Sequence, residues 1–232
     1  MDAWLGLLLP AGGPPLPPGL LLGGWVIALG VLALVLVPQT GKPPLSRWLL
    51  AFGAGLALWA LHQIHLELLG VLKLFFLGSV VVTHMLGWRW ALGVTASVAV
   101  IGAFSPGGLW LAPPLDFLAS GALPVLVTVS MLALTLRFLP AHFFIYIFVN
   151  GFLTAALAVV ASQLVKAAVT GWAGLARWPN VIDTYLASLP LMMFGEAFFT
   201  GGTLAILAVY RPAWLASYDE ERILGPRRGR DA

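Results

Sequence analysis

The stretch YLASLPLMMFGEAFFTGGTLAILAV, residues 185–209, decides the fold class of this chain. It is apolar over a length that crosses a bilayer as an α-helix, and its only charged residue is Glu196. A carboxylate at the centre of a membrane helix costs about 2.5–3.5 kcal/mol, so it needs a hydrogen-bond partner, a proton or a water-filled cavity. A basic and aromatic segment, YRPAW, follows at once. We therefore expect a membrane helix with a functional interior and an anchored end.

The composition of the whole chain points to the same class. Of its 232 residues, 60% are hydrophobic and only 9% are charged, whereas soluble domains carry about 25% charged residues. Such a chain cannot cover a soluble surface, so it is an integral membrane protein. Its apolar runs are continuous and do not alternate, which excludes a strand-based barrel. The absence of cysteine excludes disulfides and thiolate metal sites.

Seven apolar runs predict an all-α, polytopic transmembrane helix bundle of about seven spans. The predicted spans are 19–37, 48–64, 68–86, 90–104, 117–136, 143–165 and 185–209. Residues 1–18 contain five prolines, so they predict a non-spanning lead-in. We expect three parts: the proline-rich segment 1–18, the bundle 19–210 and a cytoplasmic tail 211–232.

The distribution of lysine and arginine predicts the orientation. Nine of these residues fall at the ends on one side of the predicted bundle and two, Lys166 and Arg177, on the other. Because the cytoplasmic side carries the excess, we expect an external N-terminus and a cytoplasmic C-terminus. The first residues, MDAW, lack the positive charge of a signal peptide, so we expect no cleavage. The nine are Lys42, Arg47, Arg89, Arg137, Arg211, Arg222, Arg227, Arg228 and Arg230.

Two polar residues inside predicted spans are candidates for a substrate or ion pathway. Glu196 is interpreted either as a structural carboxyl or as a cation or proton site, because intramembrane ionisable residues are functional by default. Asn150 must find hydrogen-bond partners, and we expect either helix–helix contacts or a pair with Glu196. Lys73, inside the third predicted span, either extends to the interface or forms a salt bridge with Glu196.

The histidines suggest two further sites. His62 and His65 are three residues apart and Glu67 is near, so this group is a candidate outer site for a divalent cation. The alternative is an ordinary interfacial cluster. At the opposite end, His142, Arg211 and Asp219 are candidate contacts for a cytoplasmic partner.

Two segments resemble the CbiM-type permeases, the substrate-binding membrane components of energy-coupling-factor transporters for cobalt and nickel. They are LPAHFFIYIFVNGF at 139–152 and FGEAFFTG at 194–201, the latter continuing through VYRPAWL at 209–215 to Tyr218 and Asp219. The resemblance implies a compact helical bundle with an external N-terminus, a bound divalent transition metal such as cobalt or nickel, a transmembrane coupling subunit and cytoplasmic ABC ATPases. It also implies a bacterial cytoplasmic (inner) membrane location.

One feature departs from the family pattern. Typical members bind the metal with the N-terminal amine and a histidine at the second position, whereas Asp2 stands there in this sequence. The alternative is therefore a non-transporting CbiM-like subunit that supports a redox or metalloenzyme complex. There is no nucleotide-binding loop and no hydrolase or zinc-protease motif, so we expect no enzyme, and we expect no nucleic-acid partner.

Overall fold

The computed structural model describes residues 17–36, 44–63, 66–68, 72–74, 77–104, 113–174 and 177–219. Side chains are described for the same residues except 66–68, 72–74 and 184. The elements in chain order are α1 (Pro18–Leu36), α2 (Leu45–Gln63), β1 (Leu66–Leu68), β2 (Leu72–Leu74), α3 (Ser79–Leu86), α4 (Trp88–Ala103), α5 (Pro113–Phe138), α6 (Phe143–Trp172), α7 (Trp178–Val181), a π-helical turn (Ile182–Leu186), α8 (Leu189–Tyr210) and a 3₁₀ turn (Pro212–Trp214).

The fold class predicted from the sequence is confirmed. Five helices, α1, α2, α5, α6 and α8, are long and apolar enough to cross a membrane. The shorter apolar helix α4 and the eight-residue α3 occupy the other two predicted runs. Large apolar side chains such as Phe52, Phe194 and Val26 lie exposed on the outside of the bundle, as expected where a protein faces lipid instead of water.

The prediction of one continuous span over residues 68–86 is wrong. That segment begins as two short antiparallel strands in which Glu67 lies opposite Lys73, and only then becomes the short helix α3. The residue before α3, Gly78, has φ 62°. A helix of L-residues cannot run through this left-handed backbone conformation, so α3 starts there and covers only part of the bundle's depth.

The sequence predicts that Lys166 lies in a loop after the sixth span, and this prediction is also wrong. It lies within α6, is 1% exposed, and has Asp116 of α5 as its electrostatic counterpart. Helix α5 likewise begins earlier than expected, at Pro113. Proline is tolerated in a first helical turn because the missing N–H has no partner there in any helix. Both helices are therefore longer than their apolar runs.

Helices α6 and α8 pack closely against each other. A Cβ at Gly151 would lie 3.1 Å from the Cα of Gly201, and Gln163 Nε2 donates to Met192 Sδ over 2.9 Å farther along. These two contacts show that α6 and α8 run antiparallel. Gly151 belongs to a π-helical segment, Tyr146–Leu153, inside α6. Small residues let the two backbones approach in an environment where association depends on packing.

The adjacent glycines of α8 provide a test of this close approach. We expect Gly201→Ala to destabilise the protein by about 1–3 kcal/mol, because the new methyl group would overlap the ring of Phe152. Gly202→Ala is the matched control, since no atom lies within 4 Å of a Cβ there. Thermal unfolding in detergent should give a lower Tm for the first variant only. Equal Tm values for the two variants would contradict the packing described.

Candidate functional site: a buried carboxylate and a half-length helix

Glu196 lies in the interior and binds backbone groups of another part of the chain. Its side chain is 1% exposed. Oε2 accepts a hydrogen bond from the backbone N–H of Leu77, and Oε1 accepts one from Gly78, both over 2.8 Å. A helix starting inside a bundle leaves N–H groups that have no intrahelical partner. The carboxylate of α8 satisfies two such donors just before the first turn of α3.

The local backbone explains why these donors converge on one carboxylate. Two successive N–H groups near a left-handed residue form a concave site that binds anions, and the positive end of a helix dipole adds to the attraction. Gly78 supplies the left-handed residue. A Cβ there would also approach Leu58 Cδ1 to 2.8 Å and Leu61 Cδ2 to 3.0 Å. The backbone conformation therefore favours glycine here, and any larger residue would also displace the ends of these two leucine side chains.

His62 approaches the same segment from α2. Its side chain is 7% exposed, and its Nε2 lies 3.3 Å from the carbonyl oxygen of Leu77. A carbonyl only accepts, so Nε2 carries the hydrogen in this contact. Leu77 thus connects two candidates from the sequence analysis, His62 through its carbonyl and Glu196 through its N–H. The sequence did not predict this link.

Asn150 and Glu196 do not form the predicted pair. Both oxygens of Glu196 bind Leu77 and Gly78, while Asn150 Oδ1 is buried and has no hydrogen-bond partner among the described residues. Asn150 nevertheless lies close to α8, because the next residue, Gly151, packs on Gly201. Ser79 Oγ, at the first residue of α3, is a second buried oxygen without a partner in the described part of the chain. The interior near Glu196 therefore contains acceptor oxygens that no described donor uses.

A second polar network fixes the segment after α8. His84 of α3 is 1% exposed; its Nε2 donates to the carbonyl oxygen of Asn150 over 3.0 Å, and its Nδ1 lies 2.7 Å from Ser217 Oγ. Tyr146 Oη lies 2.8 Å from the same Ser217 Oγ. Because the neutral imidazole then accepts at Nδ1, one arrangement satisfies all three groups: Tyr146 donates to Ser217, which donates to His84.

Backbone contacts extend this attachment. The N–H groups of Ala216 and Ser217 donate to the carbonyls of Met85 and His84, each over 3.2 Å. Leu215 and Tyr218 are buried in a cluster with Tyr146 and Leu204. The segment after α8 therefore covers the end of α3. The sequence does not predict this network, since Tyr146, Ser217 and His84 lie far apart in the chain.

The three candidate partner contacts lie exposed at one end of the bundle. His142 precedes α6, and its Nδ1 accepts from the Phe144 N–H over 3.2 Å, which caps the helix. Arg211 ends α8, with its guanidinium 5.9 Å from the ring of Trp214. Asp219 is also exposed. Because α6 and α8 are antiparallel, the start of α6 and the end of α8 meet at the same end.

Most of the other candidate metal ligands lie outside the residues whose side chains the structure describes. His65 is outside the described residues, and the side chains of Glu67 and Lys73 are outside it as well. The proposed His62–His65–Glu67 group and a Lys73–Glu196 salt bridge therefore stay predictions. Among the described residues, no three histidine, aspartate or glutamate side chains come together in a way that could hold a metal ion.

These features define an integral membrane protein whose helices enclose a fixed carboxylate and further buried polar groups, as expected of a membrane transport component. The chain matches the family model CbiM, described as the cobalt uptake substrate-specific transmembrane region, over residues 15–214. The match covers most of the sequence, and the chain belongs to the CbiM family. No curated protein and no solved structure matches it.

Substitutions at Glu196 test its role in holding α3. Glu196→Gln keeps the size but offers one acceptor oxygen for two N–H donors, and Glu196→Leu offers none. An unsatisfied buried donor costs about 1–3 kcal/mol, so we expect the Tm to fall in the order wild type, Gln, Leu. Asp183→Asn, at an exposed carboxylate, is the control and should leave the Tm unchanged. A leucine variant as stable as the wild type would refute this role.

Proposed function

We propose that this protein is the membrane substrate-capture component, or permease, of an energy-coupling-factor transporter that takes up a transition-metal ion, cobalt or nickel. The observation that carries the proposal is the family match over residues 15–214, which includes every long helix of the bundle. Uptake would be powered by a transmembrane coupling subunit and cytoplasmic ABC ATPases. The protein itself would catalyse no reaction.

The basic residues support an orientation in the bacterial cytoplasmic membrane. Arg47 and Trp214 line one groove, and Arg211 and His142 lie at the end where α8 stops and α6 starts. By the excess of positive charge, this end would face the cytoplasm and the N-terminus would lie outside. The exposed side chains of His142, Arg211 and Asp219 would then be available to the coupling subunit or the ATPases.

The interior supports a path for a hydrated divalent cation. Water molecules bound to such an ion present hydrogens, which need acceptor oxygens. No donor among the described residues binds the buried side-chain oxygens of Asn150 and Ser79. Ser79 directly follows the segment that Glu196 holds, and Asn150 lies near that segment in space. In this proposal Glu196 positions α3, and Asn150 lines the path.

His62 would be a ligand at the outer end of this path, together with His65 and Glu67. Its Nε2 faces the carbonyl of Leu77, so a metal would have to bind at Nδ1. Two imidazoles and one carboxylate are fewer ligands than a closed structural site provides, and water would complete the shell.

A second candidate function is a non-transporting CbiM-like subunit that supports a redox or metalloenzyme complex. The feature that favours it is the departure from the family pattern at Asp2, where typical members have a histidine. In that case the bundle would serve as a membrane anchor for partner proteins. Glu196 would then contribute only to the stability of the fold, by holding the start of α3.

Calorimetric titration with nickel and cobalt separates the two functions. We expect the double variant His62→Ala/His65→Ala to bind at least tenfold more weakly, because even the loss of an outer-shell partner of a metal ligand costs about 10–100-fold. Binding by the wild type should also weaken at acidic pH, because a protonated imidazole cannot bind a metal. His142→Ala, at an exposed histidine that caps α6, is the matched control and should bind normally.

Three outcomes are decisive. Metal capture at these residues is supported if the double variant loses binding while the wild type and His142→Ala bind normally. Tight binding that survives the double substitution would show that the ligands lie elsewhere. No binding by the wild type, even with the coupling subunit and ATPases present, would favour the non-transporting function.

A further inference from the structure

A lateral groove between α2 and α4 is separate from the polar interior. It has a volume of about 570 Å³ and is lined mainly by apolar residues of these two helices, with Val35 of α1 at its side. The rings of Trp48 and Trp90 meet edge to face at one end, with centroids 4.7 Å apart. The volume falls in the range of sites for small molecules, about 300–1,000 Å³.

The groove has the length of one lipid leaflet. On α2 it extends from Trp48 to Trp59, which at 1.5 Å per residue is about 16 Å. The hydrocarbon core of a bilayer is about 30 Å thick, so the groove covers about half of it. A Cβ at Gly55 would lie 3.5 Å from Val94 Cγ1, which shows that the two helices stay close along this length.

Three hydrogen-bond donors in the groove walls have no acceptor in the part of the chain that the structure describes. Arg89 Nε, Trp90 Nε1 and Trp59 Nε1 are each buried without a hydrogen-bond partner among the residues that the structure describes, and all three side chains line this groove. Trp59 lies at the far end of the groove, where no water is available, whereas Arg89 and Trp90 lie at its mouth. An occupant with oxygen atoms at the mouth would offer acceptors to Arg89 and Trp90 after a small side-chain rotation.

We propose that this groove binds an anionic phospholipid from the leaflet at the arginine-rich end of the bundle. The acyl chain would lie along α2 and α4 toward Trp59, and the phosphate would contact Arg89 at the mouth. The ester oxygens, between headgroup and chain, would accept from the indole N–H groups near the mouth.

The residues at the mouth favour a lipid over other occupants. Tryptophan is enriched where the membrane meets water, and Trp48, Trp88 and Trp90 cluster at this end. The guanidinium of Arg89 lies 5.2 Å from the ring of Trp88, so a positive charge is fixed beside the groove. Basic residues near anionic lipid surfaces attract negatively charged headgroups. An entirely apolar partner helix would leave Arg89 and the Trp90 N–H at the mouth without acceptors.

Native mass spectrometry with added phosphatidylglycerol or phosphatidylcholine tests the proposal. The wild type should retain phosphatidylglycerol in preference to phosphatidylcholine. Arg89→Gln should reduce that preference about fivefold, the effect of one cation near an anionic surface. Arg137→Gln, an exposed arginine that contacts only the ring of Phe138 among the contacts described, is the matched control and should keep the preference.

A variant that fills the groove tests where the chain binds. A Cβ at Gly93 would have Val35 Cγ1 as its nearest neighbour at 4.0 Å, and Gly93 lines the groove, so Gly93→Leu should occupy part of the groove and reduce retention of both lipids. Gly30→Leu, at an exposed position with no atom within 4 Å, is its control. The proposal fails if the wild type shows no preference for phosphatidylglycerol, or if the arginine variants behave alike. It also fails if Gly93→Leu retains lipid but loses a partner subunit, which would assign the groove to a partner helix.

Discussion

The rest of the structure depends on two hydrogen bonds between the carboxylate of Glu196 and the backbone N–H groups of Leu77 and Gly78. Inside a membrane every backbone polar group needs a protein partner. A helix that starts within the bundle, as α3 does, exposes donors at its first turn. The carboxylate satisfies the two donors that immediately precede this turn. The cost of burying the carboxylate and the cost of interrupting a helix therefore offset each other.

The two ends of α3 are held by different means. At its start, Gly78 and Glu196 fix the entry of the chain, and His62 contacts the adjacent carbonyl. At its end, His84 connects the π-helical segment of α6 to Ser217 in the segment after α8. A displacement of α3 would therefore be transmitted both to the buried polar groups and to the exposed end where we place the partner contacts. In a transport component this link would connect the substrate path to the coupling subunit.

The sequence predicts much of the fold, because apolar length alone indicates a membrane helix. It predicts the five long helices and the family, and it identifies Glu196 and Asn150 as interior polar residues. It does not predict the paired strands β1 and β2 or the short helix α3 in the region of the predicted third span, since the arrangement has the same composition as one span. Nor does it predict that Glu196 binds Leu77, which lies 119 residues away in the chain, or that Lys166 is buried inside α6. These features depend on which helices pack against each other, and no local sequence pattern predicts this packing.

NMR of protein labelled with ¹⁵N at leucine and glycine tests the central interaction most directly. Replacing Glu196 by glutamine should move the amide resonances of both Leu77 and Gly78, because one of them loses a carboxylate oxygen and the other faces an altered acceptor. The amide of Gly174, which donates to the carbonyl of Gly171 over 3.2 Å at the far end of α6, is an internal reference and should stay in place. If the resonances of Leu77 and Gly78 also stay in place, Glu196 does not hold the start of α3 and the account is wrong.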